Sequence, residues 1–342
     1  TEGMAELART SDPSFKFVPN EAHYDGVYMY AIARDPLARQ EEFERIDRAV
    51  YRYGHPGYAW LARLGAWARP RLIPHSLMAI GIAGLVAGSF LVSAIATRAG
   101  RTGWAGLAVA VNPGLLFALV VDTAEPVGVA LAVAGVLLWL RDRILLALPF
   151  LAFACLVKEP FVLVPVGLAG WELVQRLRGR PAPHWARRIL LAACAGIPIA
   201  AWYVSLRLRF DAWPFADAPE GLDLPVMGWI DSFRLGARYA LSGGLGSQIG
   251  AATTPVLVGV GVLLAVGAIR AITLRTPFDA MYLLFWLLAL CMNPLGLVFE
   301  KDLVRLLSVT FLLLPAVLVP WPQWRGGTAH AEAAAVLEAP GL

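Results

Sequence analysis

The sequence predicts an all-α polytopic membrane protein: a transmembrane helix bundle with an outer first loop and a juxtamembrane helix. Three observations carry the all-α membrane part of that prediction. Of 342 residues, 58% are hydrophobic and only 16% are charged, where a typical soluble domain has about 25% charged. The apolar residues gather in blocks, several near the roughly 20 residues that a helix needs to cross a hydrocarbon core of about 30 Å. The charges fall between the blocks, arginines on some connections and acids on the others.

Residues 1–50 are polar and charged, with an aromatic group at Tyr24, Tyr28 and Tyr30. The stretch HPGYAWLARLGAWAR that follows mixes Trp60, Leu61 and Leu64 with Arg63 and Arg69. It is too short and too charged to span, and predicts an interfacial helix. The expected spans are 76–96, 104–121, 126–140, 144–157, 160–174, 189–206, 251–269, 279–298 and 303–320. Two of them meet at Lys158-Glu159-Pro160, and proline disfavours helix at the residue before it. That pair is either two short helices or one helix broken in mid-membrane.

Loop charge decides between the two. Arg98 and Arg101, Arg141 and Arg143, Arg176 to Arg188, and Arg270 and Arg275 mark the basic connections, expected on the cytoplasmic face. The alternate connections are DTAE at 122–125, KEP at 158–160, the segment 207–248 and EKD at 300–302. Only two short passes keep each set on one face, with Lys158 and Glu159 at the outer end. The same count makes 1–75 an extracytoplasmic first loop with its interfacial helix, 76–320 the bundle including an outer loop 207–248, and 321–342 a cytoplasmic tail. A polar outer segment with no apolar helix ahead of it predicts a further transmembrane helix before residue 1. The 207–248 segment, rich in Pro, Trp and Asp, is long for a connection. It either covers a site, reads an acceptor, or is a disordered or simply packed loop.

Several function classes fall away. The net charge of +4 comes from arginines between apolar blocks, which argues for membrane orientation and against nucleic acid. There is no G-x-x-x-x-G-K-[ST], and no G-x-G-x-x-G after a strand, so no nucleotide cofactor is expected. Cys155, Cys194 and Cys291 lie in apolar blocks with no C-x-x-C spacing and read as packing residues. No His/Cys set has zinc spacing, and a metal held by Asp25 with Asp122 or Glu125 is not expected.

The outer connections collect His23, Tyr24, Asp25, Arg52, Tyr53, His55, Asp122, Glu125, Lys158, Glu159, Glu300, Lys301, Asp302 and Arg305. Charges at the membrane boundary can simply mark helix ends. Lys158, however, sits between two long apolar runs, where a charge costs about 2.5–3.5 kcal/mol on insertion scales and is functional or paired. Glu159 or Asp122 is its expected partner in a purely structural role. Asp122 and Glu125, three apart, are expected to share a helix face, and Glu125 before Pro126 suits a helix N-terminus. Asp302 and Arg305 can pair with each other, or Arg305 can grip a phosphate. Asp25, in an aromatic setting just outside the membrane, is a candidate general base, although Asp25-Gly26 is also a plain turn signal.

The segment Tyr24-Asp25-Gly26, followed by Tyr28, Tyr30, Ile32-Ala33 and Asp35-Pro36, resembles the first outer loop of bacterial GT-C type membrane glycosyltransferases. YRYGHPGYAWLARLGAW is similar to the juxtamembrane segment after that loop. DTAEPVGVALAVAGVLLWLRDR with LAFACLVKEPFVLVPVGL resembles their mid-chain pattern, and the likeness covers roughly residues 20–175. It implies transfer of a hexosyl or pentosyl unit from a polyprenyl-phosphate sugar donor to a glycan, lipid or protein acceptor. The reaction would run on the extracytoplasmic side of a bacterial inner membrane, with inversion and Asp25 as base. Lys158, with Arg305 or Arg52, would hold the donor phosphate, and His55 would position a substrate. Tyr24, Tyr53, Asp122, Glu125 and Glu159 complete the implied substrate-binding set. Two other classes remain open at this point: a transporter or lipid flippase, since charged helix breaks also mark transport sites, and a non-catalytic membrane subunit of a cell-envelope assembly.

Overall fold

The computed structural model describes residues 26–39, 43–44, 46–217, 222–241, 244–298 and 300–319. They form an all-α fold, with no strand among the described residues. The helices used below are α1 (Gly26–Arg34), α2 (Gly57–Gly65), α3 (Ile73–Arg98), α4 (Pro113–Val120), α5 (Glu125–Leu140), α6 (Ile144–Val157), α7 (Leu163–Leu177) and α8 (Trp185–Cys194). They continue with α9 (Ile197–Phe210), α10 (Met227–Leu241), α11 (Gly244–Ala271), α12 (Pro277–Leu290), α13 (Glu300–Leu306) and α14 (Ser308–Leu318).

Three helical stretches, 70–98, 185–210 and 253–271, are long and apolar enough to cross a membrane, and a bent pair makes a fourth if it is one span. The chain is a membrane protein on that ground. α5, α6, α12 and α14 are apolar but shorter.

Local chemistry sets the helix starts. Proline in the first turn opens α3, α4, α5, α9 and α12, where its missing N–H leaves no intrahelical bond unmade. At α12, Thr276 and Asp279 close a capping box, and each satisfies an otherwise unpaired backbone N–H. Asn112 begins α4 by accepting from the Gly114 and Leu115 N–H groups at 3.0 and 3.1 Å, and its amide donates to the Ser308 carbonyl at 3.2 Å. One buried side chain thereby caps α4 and ties it to the start of α14.

Small residues let α3 and α5 touch. Gly81, Gly84 and Gly88 repeat at helical spacing on one face of α3. A methyl on Gly84 would lie 2.9 Å from the Pro126 carbonyl carbon and from the Val127 backbone. Such close backbone approach is how helices associate where apolar burial alone gives little drive. α5 also packs on α6, α7 on α8 and α12, and α10 on α11.

The connections sort to two ends. Arg178 donates to the Thr273 and Leu274 carbonyls, while Arg188 reaches Glu172 at 2.5 Å and Asp142 at 2.6 Å. The basic turns 141–143, 178–188 and 271–276 therefore share one end. Because Asp142 lies just before α6 and Glu172 late in α7, those two helices are separate and antiparallel, with Lys158 and Glu159 at the far end.

Four expectations change. The stretch 104–121 is two helices bent by 47°, because the Asn112-Pro113 cap interrupts the apolar run. The stretch 279–298 breaks after Leu290, with a short helix Pro294–Val298 beyond, and 303–320 breaks between α13 and α14. The segment 207–248 is largely helical: α9 runs to Phe210, α10 occupies Met227–Leu241 and α11 begins at Gly244.

Candidate functional site

At the Lys158 end, a layer built from α1, α2 and the short helix Ala49–Arg52 covers the bundle. α1 is buried from Tyr28 to Ala33, so the tyrosine-rich stretch is a core helix. Side chains from elsewhere tie down its exit. Arg63 donates to the Ala33 and Arg34 carbonyls at 2.9 and 2.7 Å, the Trp60 indole to Pro36 at 3.0 Å, and Arg209 to Leu37 and Ala38. A cation on the last carbonyls of a helix also meets the negative end of its dipole. The 55–69 stretch forms α2 with Tyr58, Ala59 and Ala62 buried and Leu64 and Trp67 exposed.

Two polar clusters converge beneath this layer. In the first, Lys158 Nζ donates to Glu125 Oε1. Arg305 Nε stands 3.8 Å from the same oxygen, and Arg305 also reaches Asp302 at 3.6 Å. The side chains are 5% exposed at Glu125, 18% at Lys158 and 11% at Arg305. One carboxylate at the start of α5 thus holds a cation from the α6–α7 break and another from α13. In the second cluster, His55 Nδ1 donates to Glu159 Oε1 at 2.8 Å, and the Tyr203 hydroxyl from α9 donates to the same oxygen at 3.3 Å. Tyr51 packs its ring edge-on to His55.

The backbone explains the split. Lys158 is extended, with φ −163° and ψ 138°, and extended residues send successive side chains to opposite sides. Lys158 therefore faces α5 while Glu159 faces His55. Burial pushes the Glu159 carboxyl up, but the His55 charge and hydrogen bond outweigh it and hold the group at about 2. Burial raises Asp122 to about 6.

The sequence-derived candidates land as follows. Glu125, Lys158 and Arg305 meet in one cluster, and His55 and Glu159 in the other. Lys158 pairs with Glu125, where the sequence suggested Glu159 or Asp122. Asp122 and Glu125 do not share a helix face: Asp122 has φ +53°, in a left-handed turn that aspartate tolerates, and α5 starts only at Glu125. The guanidinium of Arg52 stacks over the Tyr28 ring at 4.0 Å and stands 3.8 Å from Asp47. Tyr53 is fully buried, its hydroxyl donating to the Asp35 carbonyl at 2.9 Å, which makes it a tie within the layer. Tyr24 and Asp25 lie outside the described residues. Gly26, however, presses on the α4–α5 turn: a methyl there would lie 2.5 Å from the Val121 carbonyl oxygen and 2.8 Å from Asp122 Cβ.

Tyr203 escaped the sequence reading. Its signal is the Trp202-Tyr203 pair near the end of an apolar helix, the placement of interfacial aromatics; Trp202 donates to the Tyr53 carbonyl at 2.6 Å. Among the described residues no group of three or more His, Cys, Asp or Glu side chains is arranged to hold a metal ion. The arrangement offers two fixed cations beside a buried carboxylate, a histidine–carboxylate–tyrosine cluster, and an acidic turn packed against the residue that follows Asp25. Neither a comparison with protein-family models nor one with curated proteins finds a match for this chain.

Proposed function

We propose that the protein transfers a sugar from a polyprenyl-phosphate carrier to an acceptor hydroxyl on the extracytoplasmic face of the membrane, with inversion at the sugar carbon. The observation that carries the reading is the convergence, at one end of the bundle, of Lys158 and Arg305 with the turn against which Gly26 packs. In this reading Asp25 takes the proton from the acceptor hydroxyl, and the acceptor oxygen attacks the anomeric carbon. The bond from that carbon to the phosphate oxygen breaks, and polyprenyl phosphate departs with the electron pair. An ammonium has three N–H donors, and Glu125 uses one of those on Lys158. The others, with the Arg305 guanidinium, stabilise the leaving phosphate, where fixed charge is worth most. His55, held by Glu159, and Arg52 position the substrates.

The test uses membranes carrying the full-length protein and a panel of radiolabelled polyprenyl-phosphate sugars, beside membranes with Asp25→Asn. Label should pass to an acceptor in the first and fall to background in the second. Absence of Asp25-dependent transfer from every donor would overturn the proposal and favour transport, where Lys158 is the residue to probe next.

A further inference from the structure

A cavity of about 500 Å³ opens between α3, α5, α7, α12 and α14, and runs from Arg101 to Phe161 and Val129. Ile95, Ala132, Val133, Met281 and Leu312 are among the apolar side chains lining it. A cavity of this size falls in the range that holds organic ligands. The described lining has a polar side chain at two positions, Arg101 and Thr102. Both follow the C-terminus of α3, the opposite end of that helix from the contact with Tyr58 and Pro126. Arg101 forms no ion pair among the described residues, and its Nε is buried without a hydrogen-bond partner. Buried donors are almost always satisfied, and one that is not calls for an unseen partner. Glu125, Lys158 and Arg305 do not line the cavity, so its cationic end is Arg101.

We propose that this cavity holds one acyl chain of an anionic glycerophospholipid from the surrounding bilayer, with the lipid phosphate on Arg101 and the Thr102 hydroxyl. An apolar slot ending in an unpaired guanidinium at a helix end matches a molecule with a long apolar tail and an anionic head. Arginine suits it because its planar fork grips phosphate by two parallel bonds. Its phosphate end at Arg101 lies at the far end of α3 from Tyr58, while its apolar wall runs up to Phe161; none of the residues proposed for the transfer reaction lines it.

The full-length protein is reconstituted in nanodiscs of phosphatidylcholine with a minor share of phosphatidylglycerol, then extracted, and the retained lipid is identified by native mass spectrometry. One phosphatidylglycerol per chain should survive extraction. Arg101→Gln should lower retention about tenfold, the loss expected for a charge-assisted hydrogen bond, and Arg101→Lys should restore part of it. Ala132→Phe, which fills the slot, should abolish retention, and inorganic phosphate should not displace the lipid. Equal retention of both lipids, or retention unchanged by Arg101→Gln, would overturn the proposal. So would an absence of bound lipid, the result expected if residues 320–342 of the chain itself fill the cavity.

Discussion

Lys158 and Glu159 are neighbours in sequence, yet they belong to different ion clusters: Lys158 holds Glu125 of α5, and Glu159 holds His55 ahead of α2. A single extended residue between two short helices therefore links the bundle to the layer above it. That geometry makes the break a structural joint as well as a candidate site, and the two roles separate by mutation.

Lys158→Met takes the closest cation from the Glu125 carboxylate, 5% exposed, and leaves the Arg305 Nε at 3.8 Å. Removing one partner of a buried pair costs about 3–5 kcal/mol, so the Tm should fall clearly. Lys158→Met with Glu125→Gln should recover most of that loss. Strictly additive losses in thermal unfolding of the three variants would show that the two groups do not interact.

Asp122 titrates at about 6 in the fold, against 3.8 for an ordinary aspartate. The folded chain binds this proton more tightly than the unfolded chain does. The stabilisation is complete below 3.8 and is lost as pH rises through about 6. Asp122→Asn keeps the left-handed turn and removes the charge. It should therefore unfold at a higher temperature than the native chain at pH 7.5, and the gap should close as pH falls to 4. A gap that does not vary with pH would contradict the raised value.

Glu159 behaves with the opposite sign. Its value of about 2 lies below the ordinary 4.5, so its contribution is present above 4.5 and fades as pH falls toward 2. Glu159→Gln should be less stable than the native chain at pH 6, and the two should converge in acid. Parallel melting curves down to pH 3 would count against the His55–Glu159 pair as their cause.

The α3–α5 contact gives a prediction from shape alone. Gly84→Val forces a side chain into the Pro126–Val127 backbone, 2.9 Å from the first added carbon. Overpacking of this kind costs about 1–3 kcal/mol. Gly259→Ala on α11 meets nothing within 4 Å and should leave stability unchanged or slightly raised, since alanine is the better helix former. A comparison of the two Tm values checks both.

The helical plan was legible where apolar blocks ended in charge or proline. The block 76–96 became Ile73–Arg98, and the pair around Lys158-Glu159-Pro160 is two antiparallel helices, as the alternation of loop charge suggested. Breaks inside apolar runs were harder to read. Asn112-Pro113 is a helix cap, but its neighbours are apolar on both sides, so hydropathy ran straight through it. α10 lies in a segment whose Pro, Trp and Asp content suggests a loop, yet it is a helix that packs on α11. Residue types at the site were readable and their partners were not. That Lys158 chooses Glu125 over its neighbour Glu159 depends on an extended φ at one residue and on where α5 begins, and both follow from tertiary packing.

The short central helices carry a consequence for the lipid around them. With 16 residues in α5 and 14 in α6, they rise about 21–24 Å, less than a hydrocarbon core of about 30 Å. A bilayer meets such a mismatch by thinning, at a fraction of a kcal/mol per ångström. Headgroups beside α5 and α6 should dip toward the Lys158 end, bringing interfacial water and any lipid-borne phosphate down to the charged joint. Stability measured across nanodiscs of increasing acyl length should then peak in short-chain lipid, and a peak in long-chain lipid would rule this dip out.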